Sequence, residues 1–315
     1  MEPKQSVFSK GWVVVLCACI ATALWGSATP AIKIGYELFR ITPDDLGTKM
    51  LFAGVRFCAA GLLTLLFTTI WDKKLPIPKK ADLLPLSLLA IVQTTLQYIF
   101  FYIGLTYTTG AKGSLFSSVS GFLVVLAAPL VYKNEKLTGA KLLGCLLAVG
   151  GLVAINMGGG IGELAGFKIQ GEGFVLMASV CNAVSFFYSK RVTRTRDPKL
   201  VTGWQLLIGG VFLLLIGFGL GGQLVFNSWQ CFLSMGYLAL LSAVAYTLWS
   251  ILLANNPVSR VSIYHLLTPL FGTALSGLVL GETIFTLPNL AALVLVCSGV
   301  YLVNRLPRSG KPLAA

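Results

Sequence analysis

The chain has 315 residues, 56% of them hydrophobic and only 11% charged, with a mean hydropathy of +0.83. A soluble domain is roughly 45–50% apolar and about 25% charged, so this composition excludes a water-soluble fold, and it is far too apolar for a disordered chain. The formal net charge of +13 would point to nucleic acid in a soluble protein, but here the placement of the charges carries more than their sum.

A helix crossing a hydrocarbon core of about 30 Å needs about 20 apolar residues, so the length allows up to about ten crossings. Breaks at charges, prolines and glycine-rich turns divide the chain into ten apolar segments. They are predicted at 11–36, 47–70, 83–107, 111–132, 139–157, 171–192, 200–221, 229–253, 258–280 and 284–304. The expected fold class is an all-α polytopic membrane protein. Gly11–Ala31 follows Lys4 and Lys10 as a signal peptide would, but it is longer than a signal core and nine apolar runs follow it. It is read as a retained first span.

Within the first segment, Trp25-Gly-Ser-Ala-Thr-Pro30 places a glycine and a proline close together in mid-span. Proline removes a backbone donor and frees the carbonyl one turn earlier, so this stretch is either a packing kink or a place for binding groups. Lys33 stands one turn before Glu37. It either snorkels to the interface beside that partner or contributes to a gate. Arg56 lies half-way along the second segment. A charge there is costly, and it serves either helix packing and gating or, more sharply, direct binding of a substrate carboxylate.

The third segment carries Gln93, Gln97, Tyr98 and Tyr102, with 93/97 and 98/102 at helical spacing. Ser117 and Ser120 add hydroxyls to the fourth, Asn182, Ser185 and Tyr188 to the sixth, Tyr246 and Trp249 to the eighth, and Tyr264 to the ninth. Such a mixture of aromatic rings and a few polar groups suits a ligand cavity. His265, the one histidine, precedes Pro269 by four residues in the ninth segment, next to Thr268. Its titration range makes it the candidate for proton coupling, and a neutral imidazole bonded to a nearby Ser or Thr is the alternative. The acids Glu37, Asp82, Glu135, Glu172 and Glu282 all fall at segment ends. A carboxylate proton relay is therefore disfavoured, and Glu135 and Glu282 are expected to end helices or pair with lysines. The seven cysteines lie in apolar runs without CxxC pairs or nearby histidines, so no metal site is expected.

With the N-terminus placed inside, 18 of the 24 basic residues fall on the cytoplasmic side. Four (Arg40, Lys49, Lys112, Lys168) fall opposite, and Lys33 and Arg56 fall within spans. Retention of Lys and Arg on the cytoplasmic side then puts both termini inside, with an even number of spans. Nucleic acid drops out as a partner. Five spans per half would make the halves an inverted pair. Supporting this, small residues recur every four positions in segments four and nine (Gly113, Ser117, Gly121 and Thr273, Gly277, Gly281), and each segment leads to a glutamate, Glu135 or Glu282. That spacing gives each helix a face for close contact.

At these residues the chain resembles the drug/metabolite transporter superfamily, in its ten-span EamA-like branch. The resemblance is carried by Leu24-Trp-Gly-Ser-Ala-Thr-Pro-Ala-Ile-Lys33, Arg56-Phe57, Tyr107-Thr-Thr-Gly-Ala-Lys-Gly-Ser114, Glu135-Lys-Leu-Thr138, Thr268-Pro269 and Leu280-Gly-Glu282, and it spans roughly residues 11–305. It implies two five-helix repeats, 11–157 and 171–304, between short cytoplasmic tails at 1–10 and 305–315. It also implies a central cavity lined mainly by spans 1, 3, 4, 6, 8 and 9, and a small organic solute such as an amino acid or related metabolite, often exported. The expectation is a secondary active transporter of the cell (plasma or inner) membrane, working as a monomer or weak homodimer without a cofactor. A passive facilitator or channel is the alternative. A membrane-embedded transferase is a remote one, since Asp44-Asp45 is the lone acidic pair and has no histidine beside it. No GxxxxGK[ST] pattern is present, so direct ATP drive is not expected.

Overall fold

The computed structural model describes residues 6–108, 110–156, 167–280 and 287–304, and among them every regular element is helical. In chain order these are α1 (Gly11–Leu38), α2 (Leu46–Asp72), α3 (Lys80–Tyr107), α4 (Gly110–Val131), α5 (Gly139–Asn156), α6 (Ile169–Thr193), α7 (Pro198–Gly219), α8 (Trp229–Asn255), α9 (258–280) and α10 (Leu287–Asn304). Among the described residues α1, α2, α3, α6, α7 and α8 are long and apolar enough to cross a membrane, and Phe116–Val131, Gly139–Ala154 and Asn289–Asn304 are shorter apolar helices. Leu62, Leu66, Leu215 and Phe232 stand exposed on the outside of the bundle. Helices satisfy their backbone internally and such side chains face lipid tails without penalty, so the chain is a multi-pass membrane protein. Most of the 158–170 connection, together with Gly281, Glu282, residues 1–5 and residues 305–315, lies outside the described residues.

Helix ends follow local chemistry. Asp45 caps α2 by accepting the Thr48 amide at 2.8 Å, and Asp197 accepts the Lys199 amide at 2.8 Å just before Pro198 opens α7. Two helices depart from a regular α repeat. In α3, Ile91–Leu96 widens into a π turn. There Thr94 donates to Gln205 Oε1 of α7 at 2.9 Å, and Thr95 bonds the Ala90 and Gly209 carbonyls. In α9, Val258–Ser262 is α-helical, Ile263–Leu267 tightens into a 3₁₀ turn, and Thr268–Leu280 resumes the α form. Pro269 has no N–H to offer the His265 carbonyl, and the Thr268 amide takes that carbonyl instead, which shortens the turn. Pro30, by contrast, lies inside an unbroken α1.

The packing repeats itself across the bundle. α2 lies along α7 and α5 along α10; α1 packs on α8 and α9 as α6 packs on α3 and α4; α8 meets α2 as α3 meets α7. Close crossings depend on missing side chains. A Cβ on Gly26 of α1 would stand 2.7 Å from the Gly272 nitrogen of α9, and one on Gly144 would stand 2.7 Å from the Gly299 carbonyl. Gly121, singled out in the small-residue stripe, meets the Ser262 carbonyl at 2.8 Å in the same sense.

At the end of the bundle that carries the N-terminus, the halves are tied together. Glu135, just past α4, accepts the Val258 amide at 2.7 Å and the Ser259 amide at 3.1 Å, and the Ser259 hydroxyl donates to it as well. Lys141 reaches the same hydroxyl at 3.0 Å, and Lys190 donates to the Asn256 carbonyl. The expected lysine pairing of Glu135 is thus replaced by a cap on the first turn of α9, because that turn exposes amides with no partners of their own. Glu172 likewise accepts from Thr108 at 2.7 Å and from the Lys168 amide at 2.7 Å.

Candidate functional site

A cavity of about 150 Å³ lies near the middle of the bundle, where α1, α2, α3, α4, α6, α8 and α9 converge. Of the residues expected at a substrate cavity, Trp25, Gln97, Tyr98, Ser117, Asn182, Tyr246, His265 and Thr268 line it. Arg56 lines it too, from a span outside the set expected to do so. Ala28, Ile32, Phe101, Ala178 and Ser179 complete the wall.

One side is aromatic. Trp25 meets Tyr246 edge-on at 5.4 Å between ring centroids, Trp249 at 5.0 Å and His265 at 5.5 Å. Tyr98 stands against Phe57 at 4.6 Å, and its hydroxyl lies 3.2 Å from that of Tyr246. Edge-to-face ring pairs add attraction beyond their buried area, so this wall is stiff as well as apolar.

Polar groups complete the lining. His265 Nδ1 lies 3.4 Å from the Ser120 hydroxyl, which also accepts from Asn182 at 3.3 Å and lies 3.2 Å from the Ser117 carbonyl. The hydroxyl alternative for His265 is therefore present in the structure. Ser179 donates to the Phe116 carbonyl at 2.6 Å and the Ser117 carbonyl at 3.0 Å, fixing α6 against α4.

Arg56 is 1% exposed. Its Nε donates to Ser242 Oγ at 2.8 Å, and the Ser242 hydroxyl donates in turn to the Leu238 carbonyl at 2.8 Å. The guanidinium carbon sits 5.0 Å from the centre of the Phe57 ring. Among the described residues Nη1 has no hydrogen-bond partner, and neither do Gln97 Oε1 and Thr268 Oγ1.

The remaining candidates sit elsewhere. Gln93 is buried off the cavity wall. Gln93 lies inside the π turn Ile91–Leu96 and Gln97 directly after it, and the extra residue in that turn moves the two off the common face that a regular helix would give them. Tyr102 faces a second cavity of about 230 Å³, with Tyr36, Ile41, Thr42, Pro43, Lys49 and Leu105, at the end of the bundle away from the N-terminus. Its ring lies 5.8 Å from Tyr98 and 6.5 Å from Tyr36, so tyrosines separate the two spaces. Trp249 is buried behind Trp25, and Tyr264 is buried in the same apolar cluster. Ser185 bonds back to the Asn182 carbonyl at 2.7 Å. Tyr188 packs against the cluster of Leu86, Leu89, Val192 and Val201. Ser120 acts behind the wall through His265 and Asn182, Pro30 and Pro269 are buried in their helices, and Lys33 is exposed near the far end of α1. Sequence reasoning did not pick out Ser179 or Ser242. Their helical spacing to Asn182 (three residues) and Tyr246 (four residues) is the signal that points to them.

The model of the EamA-like transporter family matches residues 12–157 and 169–305. The chain is 31% identical over 304 residues to an uncharacterized transporter, sll0355, of Synechocystis, covering 90% of this chain and 87% of that one. It is 28% identical to the uncharacterized inner membrane transporter YedA of Escherichia coli K12, covering 90% of each. An uncharacterized transporter of Archaeoglobus fulgidus is 27% identical over 92% of this chain and 96% of that one. Among solved structures, one crystal structure of a protein superposes with a TM-score of 0.76 at 18% identity, covering 92% of this chain and 95% of that one, a likeness of fold.

Proposed function

The chain belongs to the EamA-like transporter family of the drug/metabolite transporter superfamily, a family of membrane transporters, and we propose that it is a secondary active carrier that exports a small organic solute such as an amino acid or related metabolite. The observation that carries this reading is the central cavity, whose wall joins rings, amides, hydroxyls and one guanidinium from both halves of the chain. Two family-model matches of similar length and the reciprocal packing of α1–α5 and α6–α10 support two inverted five-helix repeats, 11–157 and 171–304, rocking about the cavity. The basic residues gathered at the Glu135 end support an orientation with both termini in the cytoplasm of a plasma or inner membrane. His265 is the group through which a proton gradient would act, since it reaches the cavity.

The test is purified protein in liposomes, offered amino acids, nucleobases and cationic drugs with and without a pH gradient. Saturable uptake with counterflow is the expected result. Non-saturable flux without counterflow would favour a passive facilitator, and no flux of any solute would remove the carrier reading.

A further inference from the structure

Arg56 poses a problem of charge balance. A guanidinium does not lose its proton in proteins, and an unpaired charge away from water is costly. Yet Arg56 is almost wholly buried at mid-span, and the cavity wall beside it holds no Asp or Glu. Among the described residues the ion pairs are Arg196 with Asp82 and Lys199 with Asp72 and Asp197, none involving Arg56. Its Nε donates to Ser242, which holds the plane of the group, the Tyr102 side chain also interacts with the guanidinium, and Nη1 has no hydrogen-bond partner among the described residues. A guanidinium held in this way on the wall of a cavity that holds no acid is suited to an incoming anion.

Gln97 and Thr268 also line the wall, and among the described residues Gln97 Oε1 and Thr268 Oγ1 make no hydrogen bond. They suit a second, donor-bearing polar group on the same solute, while Trp25, Tyr98 and Tyr246 suit an apolar body. We propose that Arg56 receives the carboxylate of the transported solute, so that the cavity takes small organic acids and zwitterions with an apolar side group and rejects cationic amines. This rests on the carrier reading above and adds to it the substrate's chemical class.

The experiment uses matched probes in proteoliposomes: L-leucine and L-phenylalanine, their 2-oxo acids, and their carboxamides. Wild-type protein should show saturable counterflow with the carboxylates and at least tenfold weaker apparent affinity for the carboxamides. Arg56→Gln should raise KM for the carboxylates about tenfold or more and erase that preference. Arg56→Lys should fall between, keeping the charge but not the planar fork. Ser242→Ala, which leaves the guanidinium in place, should raise KM for carboxylates with kcat little changed. Thermal melts with and without 10 mM leucine separate binding from folding. A ligand-induced rise in Tm lost in Arg56→Gln supports the assignment, whereas a lowered baseline with the rise intact marks Arg56 as a packing residue and overturns it.

Should Arg56→Gln fail to fold, the wild-type preference and Ser242→Ala decide. Equal handling of acids and amides, or counterflow of amides or cationic drugs alone, would overturn the proposal and leave the carrier reading standing. Absence of counterflow with every solute would remove both.

Discussion

Glu135 and Ser259 join the two halves of the chain: the carboxylate that follows α4 accepts both the amide and the hydroxyl of a residue in the first turn of α9. With the Val258 amide at 2.7 Å, one buried anion satisfies three donors. Hydrogen bonds to a charged group contribute about 1.5–3 kcal/mol each, so this contact is a substantial tie between the turn after α4 and the start of α9.

Glu135→Ala should therefore open that end more often. The measurement is the labelling rate of a cysteine placed at Ser262, using an impermeant maleimide applied from the side of the N-terminus. Faster labelling than in the Ser262→Cys parent is expected, and an unchanged rate would show that the contact does not hold the end shut. Glu135→Gln, which keeps an acceptor, should lie between the two.

Gly26→Ala should disturb the crossing of α1 and α9 beside the cavity, since the new methyl meets backbone at 2.7 Å. Overpacking costs about 1–3 kcal/mol, so Tm should fall by several degrees and transport should drop with it. Gly139→Ala, with nothing within 4 Å of its Cβ, is the control and should melt like wild type.

The hydroxyls of Tyr98 and Tyr246, 3.2 Å apart, brace the aromatic wall across α3 and α8. Tyr98→Phe and Tyr246→Phe should each weaken apparent solute affinity several-fold. The double variant should be little worse than either alone, a coupling of about 1 kcal/mol in a double-mutant cycle. Strict additivity would show that the two hydroxyls act independently.

His265→Ala should abolish accumulation driven by a pH gradient and leave exchange of solute intact, if protons enter the cycle through this ring. Its setting among Trp25, Trp249 and Phe186, with Ser120 at Nδ1, offers no carboxylate to share the proton. Accumulation equal to wild type would take His265 out of the coupling mechanism.

Much of the molecule is legible in its amino-acid sequence. Apolar runs of about 20 residues leave a chain little choice but to cross a bilayer as helices, so the class of fold follows from hydropathy. The motif order from Trp25 to Glu282 pointed to the family that the family-model match also reports. Less legible was which polar residues share a space. Gln93 and Gln97 look equivalent at a spacing of four, but Gln93 lies inside a π turn and Gln97 just after it. Tyr98 and Tyr102 look like one face, yet they serve two different cavities. Pro30 and Pro269 both read as breaks, but only the turn before Pro269 departs from the α form.

The sequence by itself determined the solvent, the helical class and the family, because each depends on patterns local to 20 or so residues. Tertiary structure alone decided what the scarce charges do. Whether Arg56 is packed or presented depends on Ser242, 186 residues away, and whether Glu135 ends its own helix or holds another depends on where α9 begins. Among the described residues most of the basic side chains lie at the end of the bundle that carries Glu135. The single cation at the central cavity owes its meaning to the absence of any acid on the wall around it, and that is a property of the assembled walls rather than of any one segment.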